Sequence, residues 1–186
     1  MSCSKVPYLL FPLSIILICY APIASSSKDL ANSVCNNANN EDGFGNGNGI
    51  TLDDCFQLMT MDPKFYSASN YRDLSKFLIQ FAIQKGTENK NKFIQLQKDF
   101  PKSKAIVQCG TTFYTAVISV FEAALKEWDT NTQNALHEIS QSADGTEQCI
   151  VAIDGEKLVN GNITNMNKMM FLLTEATFSA LDLSTQ

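Results

Sequence analysis

Histidine is nearly absent. The 186-residue chain has one, His137, and much of the acid–base and metal chemistry that histidine carries in enzymes goes with the rest. His137-Glu138 opens like the helix motif of zinc proteases. Position 141 is Gln141 where the second histidine would stand, so the motif fails and His137 reads as a surface residue. No Gly-x-Ser-x-Gly elbow and no Cys-x-x-Cys pair occurs, which argues against a serine-hydrolase turn and a zinc or redox site. Acids such as Asp53, Asp54, Glu122 and Glu127 read as solvated helix faces rather than acid–base pairs. The expectation is a protein that is not an enzyme and takes no cofactor and no metal.

Cationic excess is also lacking. There are 14 Lys plus Arg against 19 Asp plus Glu, a net charge of −5. Nucleic acid and anionic membrane are therefore disfavoured as partners. Strand signals are scarce, and the run 150–153 is the only short apolar stretch that argues for one. Gly43, Gly45, Gly47 and Gly49 alternate within an Asn/Gly-rich stretch over 36–49. A phosphate-binding loop needs a preceding strand and a different glycine spacing, so this stretch reads as a connector.

One apolar run stands out at the start. Lys5 precedes VPYLLFPLSIILICY over 6–20, and small residues follow, with cleavage sites after Ala24 or Ser26. This is the pattern of a secretory signal peptide over 1–26. The run is short and broken by Pro7 and Pro12, unlike a membrane anchor. The remaining chain, about 160 residues, suits one domain. It is expected to be soluble and secreted to the extracellular space, with the vacuole as an alternative. Four cysteines remain after cleavage: Cys35, Cys55, Cys109 and Cys149. An even count in an oxidising compartment argues for two disulfides, with three pairings open.

The rest is helical periodicity. Leu30, Val34 and Ala38 recur at a spacing of four over 28–40. Thr51 with Asp54 resembles a capping box for a short helix carrying Cys55 and Leu58, ended by Pro63. Four longer segments follow. The first starts at Ser69 or Asn70 and carries Leu74, Phe77, Leu78, Phe81 and Ala82, with Gly86 as a possible bend and Phe93, Ile94 and Leu96 continuing it towards Phe100. In the second, Cys109, Phe113, Ala116, Val117, Val120, Phe121, Ala124 and Trp128 draw one stripe. The third starts at Thr130 or Asn131, turns Ala135, Ile139 and Ala143 inward, and reaches Cys149. The fourth carries Ile163, Met166, Met170, Leu173, Thr177 and Ala180. Short connectors between long helices predict antiparallel neighbours. The expected fold is all-α: an N-terminal helical hairpin over 27–62 and an up-and-down antiparallel four-helix bundle over 63–186, together one domain over 27–186. Met166, Met169 and Met170 read mainly as core. Asn162-Ile163-Thr164 is the one N-glycosylation acceptor, which would put Asn162 on the surface.

The order of these features resembles the plant invertase and pectin methylesterase inhibitor family. The resemblance rests on a signal peptide, a cysteine pair in a short hairpin (Cys35 and Cys55) and the step from Leu58 to Pro63. It rests also on Cys109-Gly-Thr-Thr-Phe113-Tyr114, and on Cys149 after Ser140-Gln-Ser142-Ala-Asp144-Gly-Thr-Glu-Gln. It covers essentially the whole chain after the signal. The resemblance implies disulfides Cys35–Cys55 and Cys109–Cys149. It also implies a non-catalytic inhibitor that covers the active cleft of pectin methylesterase or, as the alternative, of cell-wall or vacuolar acid invertase. A divergent helical binding module without inhibitory activity is the third reading. Departures from the family are a longer loop between the first two cysteines, Gln148 where many esterase inhibitors carry Thr, and no extra free cysteine. Invertase inhibitors plug their target with Pro-Lys-Phe before the third bundle helix, where this chain has Thr132, Gln133 and Asn134. Its own Pro63-Lys64-Phe65 lies elsewhere and reads as coincidence. Recognition is expected on the bundle, over 102–128 and 130–149, with Thr111, Glu122, Gln133 and Glu138 as candidates because they lie off the apolar stripes.

Overall fold

The computed structural model describes residues 27–40 and 50–186. The expected signal peptide and the glycines at 43–49 lie outside the described residues. Among the described residues six α-helices run in order: α1 (Ser27–Asn40), α2 (Leu52–Met59), α3 (Tyr71–Leu96), α4 (Lys104–Glu127), α5 (Thr132–Gly155) and α6 (Gly161–Leu183). No strand occurs among the described residues. The fold is the all-α bundle expected, with both disulfides, Cys35–Cys55 and Cys109–Cys149, in place.

Local chemistry sets the helix starts. Thr51 and Asp54 form the reciprocal capping box of α2, each side chain accepting from the other's backbone N–H. Asn70, Ser103, Asn131 and Asn160 each accept a backbone N–H in the first turn of the helix they precede. α2 ends at Met59, four residues before Pro63, and a single 3-10 turn (Phe65–Ser67) leads into α3. At the end of α5, Lys157 turns left-handed (φ 53°) while the Leu158 N–H closes on the Ile153 carbonyl.

The four long helices form a ring, α3 beside α4, α4 beside α5, α5 beside α6 and α6 beside α3. α1 lies on the outside of α6, where the Ser179 hydroxyl donates to the Val34 carbonyl at 2.9 Å. α6 is thus covered on several sides, and Leu172, Leu173, Ala176, Thr177 and Ala180 are all buried. Leu30, Val34 and Ala38 face it from α1 as the spacing of four requires. Trp128 closes the end of the bundle where α4 turns into α5. Its Nε1–H donates to the Arg72 carbonyl and Ser75 Oγ, and Lys76 Nζ stands 4.3 Å from the ring centroid.

The 150–153 run is helix, in keeping with the all-α reading: α5 continues past Cys149 to Gly155, because Ile153 packs inward as the next turn of the same apolar stripe. Other expectations need correction. α3 passes through Gly86 without a break and stops at Leu96 rather than near Phe100. The larger correction concerns α4. Phe113 and Val120 are only half-buried and Ala116 is exposed, whereas Tyr114, absent from the expected stripe, is fully buried. The cause is a π turn at Cys109–Phe113, where the Tyr114 N–H bonds to the Cys109 carbonyl five residues back. The inserted residue rotates everything after it, so the core face runs Cys109, Tyr114, Val117, Phe121, Ala124. On α5, likewise, Ala143 is half-buried while Ser142, Gly145 and Thr146 face the interior.

Candidate functional site

The face expected to carry recognition is built by α4 and α5, and three devices make it rigid. Cys109–Cys149 joins the π turn to α5, with the Cα atoms 5.2 Å apart. Gly145 lets the two helices approach closely, since a Cβ there would sit 2.7 Å from Val117 Cγ2 and 3.0 Å from the Phe113 carbonyl oxygen. Glu156, just beyond α5, reaches the start of α4 and accepts from Ser103 Oγ at 2.5 Å and from the Ala105 N–H at 3.0 Å. Those two hydrogen bonds hold its carboxyl below the usual glutamate value.

Behind this face lies a buried polar network that the apolar stripes do not reveal. The Tyr114 hydroxyl donates to Asn167 Oδ1 at 2.9 Å and accepts from Asn89 Nδ2 at 3.4 Å. Asn89 Nδ2 also donates to the Met166 carbonyl at 3.2 Å. Three helices, α3, α4 and α6, are pinned to one register by these bonds. Burial drives the phenol pKa well above its ordinary value, against a smaller lowering by Asn89, so the hydroxyl stays a neutral donor. Asn89 and Asn167 sit among polar neighbours in the sequence, so no local signal marks them as buried.

On the surface of α4 and α5, Phe113, Asp144, Glu147, Gln148, Val151 and Ala152 line a shallow concavity of about 430 Å³. Val151 is 64% exposed and Val107, two residues before the π turn, 41%. Acidic side chains beside exposed apolar ones suit a partner with a basic rim around an apolar contact. Thr111, Glu122 and Gln133 are exposed and Glu138 is half-buried. They do not form one patch. Thr111 and Glu122 are eleven residues apart, about 16 Å along α4. Gln133 and Glu138, five apart, point about 140° from each other around α5. The Thr111 hydroxyl donates to the Val107 carbonyl of its own helix.

Other candidates are placed plainly. His137 is exposed, and its ring Nε2 lies 3.0 Å from the side-chain amide of Gln141, one turn on. Asp54 belongs to the α2 cap and pairs with Lys168 Nζ at 2.9 Å. Burial works to raise its pKa, but the bonds from Lys168 and Thr51 outweigh that and leave it lowered. Glu122 is exposed and Glu127 half-buried on α4, and among the described residues no cluster of His, Cys, Asp and Glu is arranged to hold a metal. In Pro63-Lys64-Phe65, Lys64 is exposed, but Phe65 is 0% exposed and stacks edge-on against Phe81 at 5.3 Å. α4 is long and apolar enough to cross a bilayer by length and composition, yet Tyr114, Val117, Phe121 and Ala124 are buried in the bundle core.

No family model, no curated protein and no solved structure matches this chain.

Proposed function

We propose that the chain is a secreted, non-catalytic inhibitor of the plant invertase and pectin methylesterase inhibitor family, and that its target is pectin methylesterase. It docks on the enzyme through α4 and α5 and covers the active cleft without chemistry of its own. The observation that carries this reading is the cysteine pairing. One bridge staples a small hairpin, α1 to α2, and the other staples the second bundle helix to the third, which is the arrangement the resemblance implies. Two disulfides are also compatible with an extracellular protein, and the extracellular wall space is the proposed location.

A stapled α4–α5 pair supports the reading physically, because helices already fixed in register lose little conformational freedom on docking. A standard-size contact of about 1,600 Å² in total would use much of that face. Acid invertase ranks second as a target. The ring of Phe65 is in the core, so Pro63-Lys64-Phe65 cannot enter an active site without unfolding its own turn. A binding module that kept the scaffold and lost inhibition ranks third.

Immobilised protein with both disulfides intact, incubated with plant cell-wall extract and washed, separates the three. Methylesterase held on the resin, silent while bound and active again once eluted, supports the first reading. The same behaviour by invertase moves the second to its place, and retention of neither leaves the third.

A further inference from the structure

Between α3 and α6, a concavity of about 530 Å³ opens on the surface. Its α6 wall is Asn162, Asn165, Met166 and Met169, spaced three, one and three, hence one helix face. Asn89 and Gln95 line it from α3, and Met61 comes in from the turn after α2. Met61 is 49% exposed, so an apolar side chain stands open here. The volume is that of a small-ligand site, and the lining mixes carboxamides and thioethers with the charged side chains of Lys85, Glu88, Lys92 and Asp99. One of its lining residues, Asn162, is the asparagine of the single Asn-x-Thr acceptor.

We propose that Asn162 is N-glycosylated and that the first N-acetylglucosamine of its glycan lies in this groove instead of projecting into solvent. The proposal rests on the secreted reading of the chain and not on the inhibitory one. Transfer joins Asn162 Nδ2 to the anomeric carbon of an oligosaccharide carried on a lipid diphosphate. The anomeric C–O bond breaks, the lipid diphosphate leaves with the electron pair, and Nδ2 gives up one proton. The fold tolerates the modification. Asn162 is exposed, and its side chain makes no hydrogen bond among the described residues. The cap of α6 is Asn160, whose Oδ1 accepts from the Asn162 and Ile163 N–H groups at 3.0 and 3.4 Å, so modification leaves it intact.

The groove matches the sugar in kind. An acetamide and several hydroxyls need both donors and acceptors, which the carboxamides of Asn165 and Gln95 supply. Asn89 has its Nδ2 committed to the Met166 carbonyl and Tyr114, leaving Oδ1 as an acceptor at the groove floor. The acetamide methyl and the C–H face of the pyranose ring lie against Met61, Met166 and Met169, whose flexible thioethers adapt to such a surface. Seating the sugar there ties the first turns of α6 to α3.

The test uses the full chain secreted from a eukaryotic host. N-terminal sequencing checks removal of residues 1–26, and peptide mapping reads occupancy at Asn162. The glycoprotein is then compared, under dilute peroxide, with the same protein after an amidase has removed the whole glycan, and with Thr164→Ala, which blocks attachment. A seated glycan slows oxidation of Met61 and Met169 by at least about threefold, since oxidation follows exposure, while buried Met59 and Met170 stay unreactive in all forms. Equal rates with and without the glycan overturn the seating. An unmodified Asn162 in a chain that has lost its first 26 residues overturns the modification. A chain retained with those residues attached overturns the secreted reading and this proposal together. Inhibitory activity is unchanged by glycan removal, because the groove is not on the α4–α5 face.

Discussion

Tyr114→Phe removes one oxygen from the centre of the bundle and little else. The ring keeps its packing against Phe93, 5.3 Å between centroids. What is lost is the donor to Asn167 Oδ1 at 2.9 Å and the acceptor for Asn89 Nδ2 at 3.4 Å. The second bond is long and Asn89 retains the Met166 carbonyl, so its loss matters little. Asn167 is 3% exposed, and no water replaces its partner without opening the core. Leaving a buried polar group unpaired costs about 1–3 kcal/mol. For a chain of this size each kcal/mol lowers Tm by roughly 2–4 °C, so about 2 kcal/mol predicts a drop of about 4–8 °C. Urea unfolding with both disulfides intact should show the midpoint falling with the slope unchanged. Combining Tyr114→Phe with Asn167→Ala should give less than the sum of the single losses, with a coupling of about 1 kcal/mol. A loss below about 0.5 kcal/mol, or full additivity, refutes the network as a register pin.

Glu156→Gln should flatten the acid limb of the stability profile. The native carboxyl titrates below the ordinary value of 4.5. Its contribution is therefore present above that value and fades as pH falls through the lowered native pKa. Denaturant midpoints across that window should converge between wild type and variant at the acid end and differ at neutral pH. Phe65→Ala should cost about 3–5 kcal/mol by cavity formation, whereas Lys64→Ala should change neither stability nor inhibition, checked by thermal melts and enzyme assay. Replacing Cys109 and Cys149 together should cost about 4 kcal/mol and the Cys35–Cys55 pair about 3 kcal/mol by loop-closure entropy, with denaturation in urea as the readout.

Much of this fold was legible because its signals are local. Thr51 with Asp54 and Asn70 are caps written in adjacent residues, and Leu30, Val34 and Ala38 keep a constant period. The α4 stripe went astray because counting at a fixed 3.6 residues per turn has no place for a π turn. Five residues separate Cys109 from Tyr114, and only the pairing with Asn167, 53 residues on, shows which aromatic points inward. On α5 the reading followed apolar residues, Ala135, Ile139 and Ala143. Ser142, Gly145 and Thr146 also face the interior, Gly145 because α4 comes too close there for a side chain and Ser142 through its hydrogen bond to Thr174 on α6. The α3–α6 groove and the Ser103–Glu156 clamp join residues distant in the chain. No local pattern marks them in advance.

Titration of the purified, oxidised protein into pectin methylesterase at mildly acidic pH, with acid invertase in parallel, tests the functional reading most directly. Methylesterase activity should fall linearly to near zero at one equivalent of protein, while invertase activity stays unchanged. Undiminished activity of both enzymes at micromolar protein, with the two disulfides verified by non-reducing peptide mapping, would contradict it.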